Sequence, residues 1–118
     1  MMIGSSLRGV LGAGVLLASL VTNLLPALAH EPAQVQITNL VYLPAEVTLH
    51  VGDVIVWTNN DIVAHTATVK AAGGAAGWDV TIPPGQTVQH QLTQAGTVEY
   101  FCRFHPNMKA RINVLSKP

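Results

Sequence analysis

Cys102, His105 and Met108 follow one another at intervals of three in the stretch Tyr100-Phe101-Cys102-Arg103-Phe104-His105-Pro106-Asn107-Met108. A thiolate, an imidazole and a thioether in one short loop suit a soft or borderline metal ion. The first two are strong equatorial donors and the third is a weak axial one. A zinc site more often uses several Cys or His and no Met. Cys102 is the only cysteine of the chain, so no intramolecular disulfide can form. A lone thiol in an oxidising compartment is a liability unless it is buried and inert or its sulfur is engaged, and a bound metal would engage it. The set lacks one equatorial ligand. His30, His50, His65 and His90 are the remaining histidines. His65 is the best candidate, because it follows the Asn59-Asn60-Asp61 turn after the run that carries Trp57. His50 and His90 lie in polar strand contexts and are expected at the surface. His30 would become the amino terminus after processing, where its amine and imidazole together could hold a metal ion, although a single His in a terminal segment is weak grounds.

A loop ligand set needs rigid elements on either side. Short runs rich in Val, Ile and Thr, separated by turn signals, predict strands near 34–39, 46–50, 54–59, 64–70, 78–82, 87–92, 97–102 and 111–115. Gly52-Asp53, Asn59-Asn60-Asp61, Pro83-Pro84-Gly85 and Ala95-Gly96 supply the turns. The Ala/Gly-rich segment 71–77 reads as a loose loop or a single helical turn. No segment sustains a helical period. Alternation places Val98, Tyr100 and Cys102 on one face of their strand, so Cys102 points inward at its end. About eight short strands predict an all-β fold, a two-sheet sandwich or flattened barrel.

Two His, one Cys and a weakly bound Met make the trigonal site of blue-copper electron carriers. The sequence resembles the small type 1 blue copper proteins, the cupredoxins, in three blocks: 52–59 (Gly-Asp-Val-Ile-Val-Trp-Thr-Asn), 64–66 (Ala-His-Thr) and 96–108. The resemblance spans essentially all of residues 30–118. With two residues between His105 and Met108, the loop is most similar to that of amicyanins; plastocyanins and pseudoazurins usually have a longer spacing. The resemblance implies a Greek-key β-sandwich, one copper ion as cofactor, and His65, Cys102, His105 and Met108 as its ligands. It also implies that the edge of His105 reaches the surface and passes electrons to redox partner proteins. Thr66 departs from the pattern, since many members have Asn directly after the first His, tying the two ligand loops together. The shorter Thr hydroxyl could weaken that tie or rebuild it through a backbone group. Ala110 departs where the amicyanin pattern has Gly, which bears on the backbone path after Met108.

Composition bounds what remains. The chain has 118 residues, a formal net charge of zero and 49% hydrophobic content. That suits one small domain, and neither a disordered tail nor a nucleic-acid binder. The apolar excess lies in residues 1–29. Arg8 precedes an apolar run, Pro26 interrupts it, and Ala27-Leu28-Ala29 offers small residues at a peptidase site. This predicts a signal peptide cleaved after Ala29, a mature domain 30–118 and a periplasmic location; the rival is an uncleaved membrane anchor. In the mature segment every acidic residue precedes position 100, while Arg103, Lys109, Arg111 and Lys117 follow it. The docking face is therefore expected to be locally positive, the alternative being scattered solvated charges. Phe104 and Pro106 would add apolar surface beside His105, or pack only against their own loop. An electron carrier is expected rather than an enzyme, as a monomer. A copper-trafficking protein with little redox work is the alternative. One Cys and one small domain leave no room for a second, catalytic copper.

Overall fold

The computed structural model describes residues 30–118, with Gly4, Gly12 and Gly14 of the preceding segment. The expected signal peptide, residues 1–29, otherwise lies outside the described residues. Among the described residues nine strands form: β1 (Ala33–Thr38), β2 (Val41–Leu43), β3 (Glu46–His50), β4 (Val54–Asn59), β5 (His65–Val69), β6 (Trp78–Ile82), β7 (Thr87–Gln91), β8 (Gly96–Phe101) and β9 (Lys109–Leu115). One sheet runs β2-β1-β4-β7 and the other β3-β9-β8-β5-β6. The pairs β1–β4 and β3–β9 are parallel and the rest antiparallel.

The alternating pattern builds the sandwich interior. Val35 and Ile37 of β1 turn inward, as do Ala110, Ile112 and Val114 of β9, while their neighbours face out. β5 differs, because all five of its residues are buried, between β8 and β6 in the sheet order. Trp57, Tyr42 and Tyr100 are the largest fully buried side chains. Tyr100 packs edge-on against both Tyr42, at 4.7 Å between ring centroids, and Trp57, at 5.7 Å, and Trp57 Nε1–H donates to the Tyr100 hydroxyl at 3.2 Å.

The structure differs from the sequence expectation in three places. β2 was not anticipated: it is three residues long, and its Val-Tyr-Leu has too few positions to show a period. It exists because Asn39 and Leu40, both at positive φ (52° and 63°), reverse the chain against β1. Segment 71–77 is neither a loose loop nor a helical turn. Ala72 and Ala75 exchange two backbone hydrogen bonds around Gly73-Gly74, both at positive φ, as a two-residue hairpin turn requires. Gly77 then passes so close to β5 that a Cβ there would sit 2.4 Å from the Val69 carbonyl oxygen. Finally, β8 ends at Phe101, so Cys102 is the first residue beyond the strand rather than its last.

Candidate metal centre

Three segments meet at one end of the sandwich. β4 ends at Asn59, β5 begins at His65, and the loop 102–108 joins β8 to β9. Asn59 is fully buried and organises the connection between β4 and β5. Its amide nitrogen donates to the carbonyls of Val63, Ile82 and Pro83 at 2.9, 3.0 and 3.2 Å, and its carbonyl oxygen accepts the Asp61 N–H at 2.9 Å. With all of these groups engaged, the 60–64 loop has one path, and that path delivers His65 into the interior.

The loop carrying the other three residues is two consecutive turns. His105 N–H donates to the Cys102 carbonyl at 3.3 Å and Met108 N–H to the His105 carbonyl at 2.8 Å; Cys102 N–H closes the loop onto the Met108 carbonyl at 3.1 Å. The interval of three between Cys102, His105 and Met108 is thus the interval of the turns themselves.

His65, Cys102 and His105 offer ligand atoms that all lie within 4.8 Å of one another. Cys102 Sγ is 3.7 Å from His65 Nδ1 and 3.7 Å from His105 Nδ1. Sulfur about 2.3 Å and nitrogen about 2.0 Å from a shared ion, about 120° apart, are themselves about 3.7 Å apart, so the donor set fits one trigonally bound ion. His65 and Cys102 are fully buried and Met108 is 4% exposed, whereas His105 is only partly buried. The sequence expectation for these four residues thus meets a structure in which three converge and the fourth closes the loop from within the core. His50 and His90 lie elsewhere and only half-buried; His90 stacks on Trp78 at 4.4 Å, and burial pushes its pKa down.

The surrounding shell contains a residue that motif reading passed over. Asp61 accepts from His65 Nε2 at 2.8 Å, which leaves Nδ1 free for the ion. The same carboxylate accepts the N–H groups of Asn39 at 2.7 Å and Leu40 at 3.0 Å. These backbone donors, Leu40 foremost, and the His65 hydrogen bond hold its pKa below the usual carboxylate range. Asp61 therefore clamps the strained β1–β2 turn and orients a site histidine at once. An acid four residues before a histidine was visible in the sequence, but across a turn that spacing carries no geometry.

Thr66 does tie the two loops together. Its hydroxyl accepts Arg103 N–H at 2.9 Å and meets the Thr68 hydroxyl at 2.9 Å. Thr68 donates to Asp79, and Asp79 in turn accepts from Arg103 Nε at 3.0 Å. Each hydroxyl proton is used once, so the ring closes from Arg103 back to Arg103. The Thr66 N–H points at Cys102 Sγ from 3.4 Å, and its carbonyl accepts the Tyr42 hydroxyl from β2. The Asp79 carboxyl is held below its ordinary pKa, first by Arg103 and then by Thr68. Ala110, the second departure, is buried on β9 and pairs with Tyr100.

The expected positive docking face is partly neutralised. Arg103 pairs with Asp79 at 3.0 Å and lies over the Phe104 ring, and Arg111 pairs with Glu99 at 3.1 Å. Acids distant in sequence are brought alongside by strand pairing. The rim beside His105 is apolar in part: Leu40, Ile62, Val63 and Phe104 are exposed, Ile62 almost completely, and the first three border the same shallow depression as His105, together with Asn39, Asn60 and Asp61.

Comparison with known proteins follows the same direction. Residues 29–115 match the family described as copper binding proteins, plastocyanin/azurin family. Amicyanin-alpha of Methylorubrum extorquens is 30% identical over 103 residues, covering 82% of this chain and 86% of that protein. Amicyanin of Paracoccus versutus is 31% identical over 95 residues, covering 75% and 70%. Among solved structures, an amicyanin variant in its Cu(I) form superposes with a TM-score of 0.65 at 28% identity, covering 73% of this chain and 84% of that one.

Proposed function

Because the chain belongs to the plastocyanin/azurin family of copper-binding proteins, we propose that it is an exported electron carrier whose His65, Cys102, His105 and Met108 hold one type 1 copper ion. The observation that carries this reading is the pair of equal 3.7 Å separations from Cys102 Sγ to the two imidazole nitrogens, in a pocket closed to water except at His105. Copper, when bound, supplies a one-electron couple between Cu(I) and Cu(II).

The chain's own residues then do two things. They keep the donors still: His65 is fixed by Asp61, Cys102 by the Thr66 N–H and the loop closure, and His105 by the two turns. Donors that do not move on a change of charge keep the reorganisation cost of electron transfer small. They also provide an exit, since His105 is the partly exposed member of the set. The apolar rim of Leu40, Ile62, Val63 and Phe104 supports brief docking of redox partner proteins there. Four protein ligands would fill the coordination of the ion, which is the arrangement of a carrier rather than an enzyme. The leader read in residues 1–29, cleaved after Ala29, would deliver the domain to the periplasm as a monomer.

The visible spectrum of the copper-loaded protein tests the centre. Oxidised protein is expected to be intensely blue, and Cys102→Ser to lose that colour while keeping the fold by circular dichroism. A colourless wild type overturns the reading. Ready loss of copper to a mild chelator would favour a trafficking role instead.

A further inference from the structure

A second group of donors sits at the opposite end of the sandwich. His50 closes β3 and pairs with Leu115, the last residue of β9, whereas Lys109, the first, pairs with Phe101 beside Cys102. The length of β9 separates the two ends by about 20 Å at a strand rise of about 3.3 Å per residue. There His30, His50 and Asp53 place ligand atoms within 4.8 Å of one another. His30 Nδ1 lies 3.1 and 3.0 Å from the two Asp53 carboxylate oxygens, and His50 Nδ1 lies 3.8 Å from the second of them. The two rings approach to 4.7 Å.

An ordinary ion pair needs one imidazole for one carboxylate. Here two imidazoles turn the same nitrogen, Nδ1, towards a single carboxylate. That carboxylate is positioned by backbone: Asp53 Oδ2 accepts His50 N–H at 2.8 Å. The turn itself is braced by Gly52 N–H to the Leu92 carbonyl at 2.7 Å, Leu92 N–H to the Asp53 carbonyl at 2.9 Å and Gln91 Nε2 to the Gly52 carbonyl at 3.0 Å. Two members are thus fixed on the scaffold, and His30, on the approach to β1, lies against both.

We infer that His30, His50 and Asp53 form a second metal site, distinct from the copper centre, for an exchangeable divalent ion of the zinc or copper(II) type. Two imidazoles and one carboxylate are a borderline donor set, and three protein ligands leave a position for water. The site faces solvent, so the ion exchanges with the medium instead of being locked in. The three side chains make the site by themselves. Cleavage after Ala29, part of the function proposed above, would add the α-amino group of His30 as a fourth donor.

Zinc(II) is the probe, because it is diamagnetic and redox-silent. It is titrated by calorimetry into the protein as recovered after export, with copper loaded and reduced, while NMR follows the histidine ring signals. One equivalent of zinc(II) per chain is expected, shifting His30 and His50 and leaving His65 and His105 in place. His50→Gln and His30→Gln are each expected to weaken binding at least about tenfold, and His90→Gln to leave it unchanged. All three variants should keep the blue colour of the oxidised protein. Absence of the equivalent, or undiminished binding in His50→Gln, overturns the site. Zinc(II) that shifts His105 and is lost in Cys102→Ser reports on the other centre and likewise overturns it.

Discussion

Asp61 and Thr66 show how much of the centre rests on residues that do not face the ion. Asp61 holds His65 by Nε2 and the strained turn by two N–H groups. Its negative charge next to a proposed ligand histidine would favour the more highly charged state of copper. Asp61→Asn is therefore expected to raise the reduction potential, measured by voltammetry; an unchanged potential would reduce Asp61 to a clamp for Asn39 and Leu40. Thr66→Val keeps the volume but removes the acceptor for Arg103 N–H and the partner of Thr68. Leaving a backbone donor unpaired in this setting costs about 1–3 kcal/mol. Denaturant unfolding of the copper-free protein should show that loss, and the potential should shift as well, because the Thr66 N–H also points at the Cys102 sulfur.

At the scale of elements, the centre is a junction of strand ends, and Asn59 and β2 are what join them. Asn59→Ala would remove the side-chain donor to the carbonyls of Val63 and Ile82 and the acceptor of the Asp61 N–H at once, while the Pro83 carbonyl would keep the Gln86 N–H. A loss of about 3 kcal/mol of stability is expected, together with weaker copper retention, because the loop entering β5 would no longer have a single path. Chemical denaturation with and without copper separates the two effects. β2 contributes through one atom: the Tyr42 hydroxyl donates to the carbonyl of Thr66, the residue after His65. Burial raises the Tyr42 pKa far above that of a free tyrosine, so the group stays a neutral donor at pH values that would ionise a free tyrosine. Eight of the nine strands were legible from alternation and turn residues. β2 was not, because three residues show no period and its turn uses Leu40 at a positive φ that no sequence rule favours.

For the whole molecule, the two ends of the sandwich carry different chemistry, a buried copper centre under an apolar rim and an exposed His/His/Asp group. Pairing of Arg103 with Asp79 and of Arg111 with Glu99 would leave the proposed docking near His105 to apolar contact more than to charge. Ile62→Lys is accordingly expected to slow electron self-exchange between oxidised and reduced copies by about tenfold, since like charges would meet across the contact. NMR line broadening measures that rate, and the potential should stay as it was. A self-exchange rate untouched by Ile62→Lys would remove this rim from the docking surface.

The sequence by itself determined the four residues to examine at the centre, the β class and most strand positions. Donor chemistry is a property of residue type, and turn spacing and alternation are local. Only the tertiary structure decided that Asp61 and Thr66 brace the site, that Asp79 and Glu99 pair with Arg103 and Arg111, and that His30, His50 and Asp53 meet. Each of these joins residues distant in the chain or across a turn, and their separation in space is set by strand pairing and register, which no short stretch of sequence encodes.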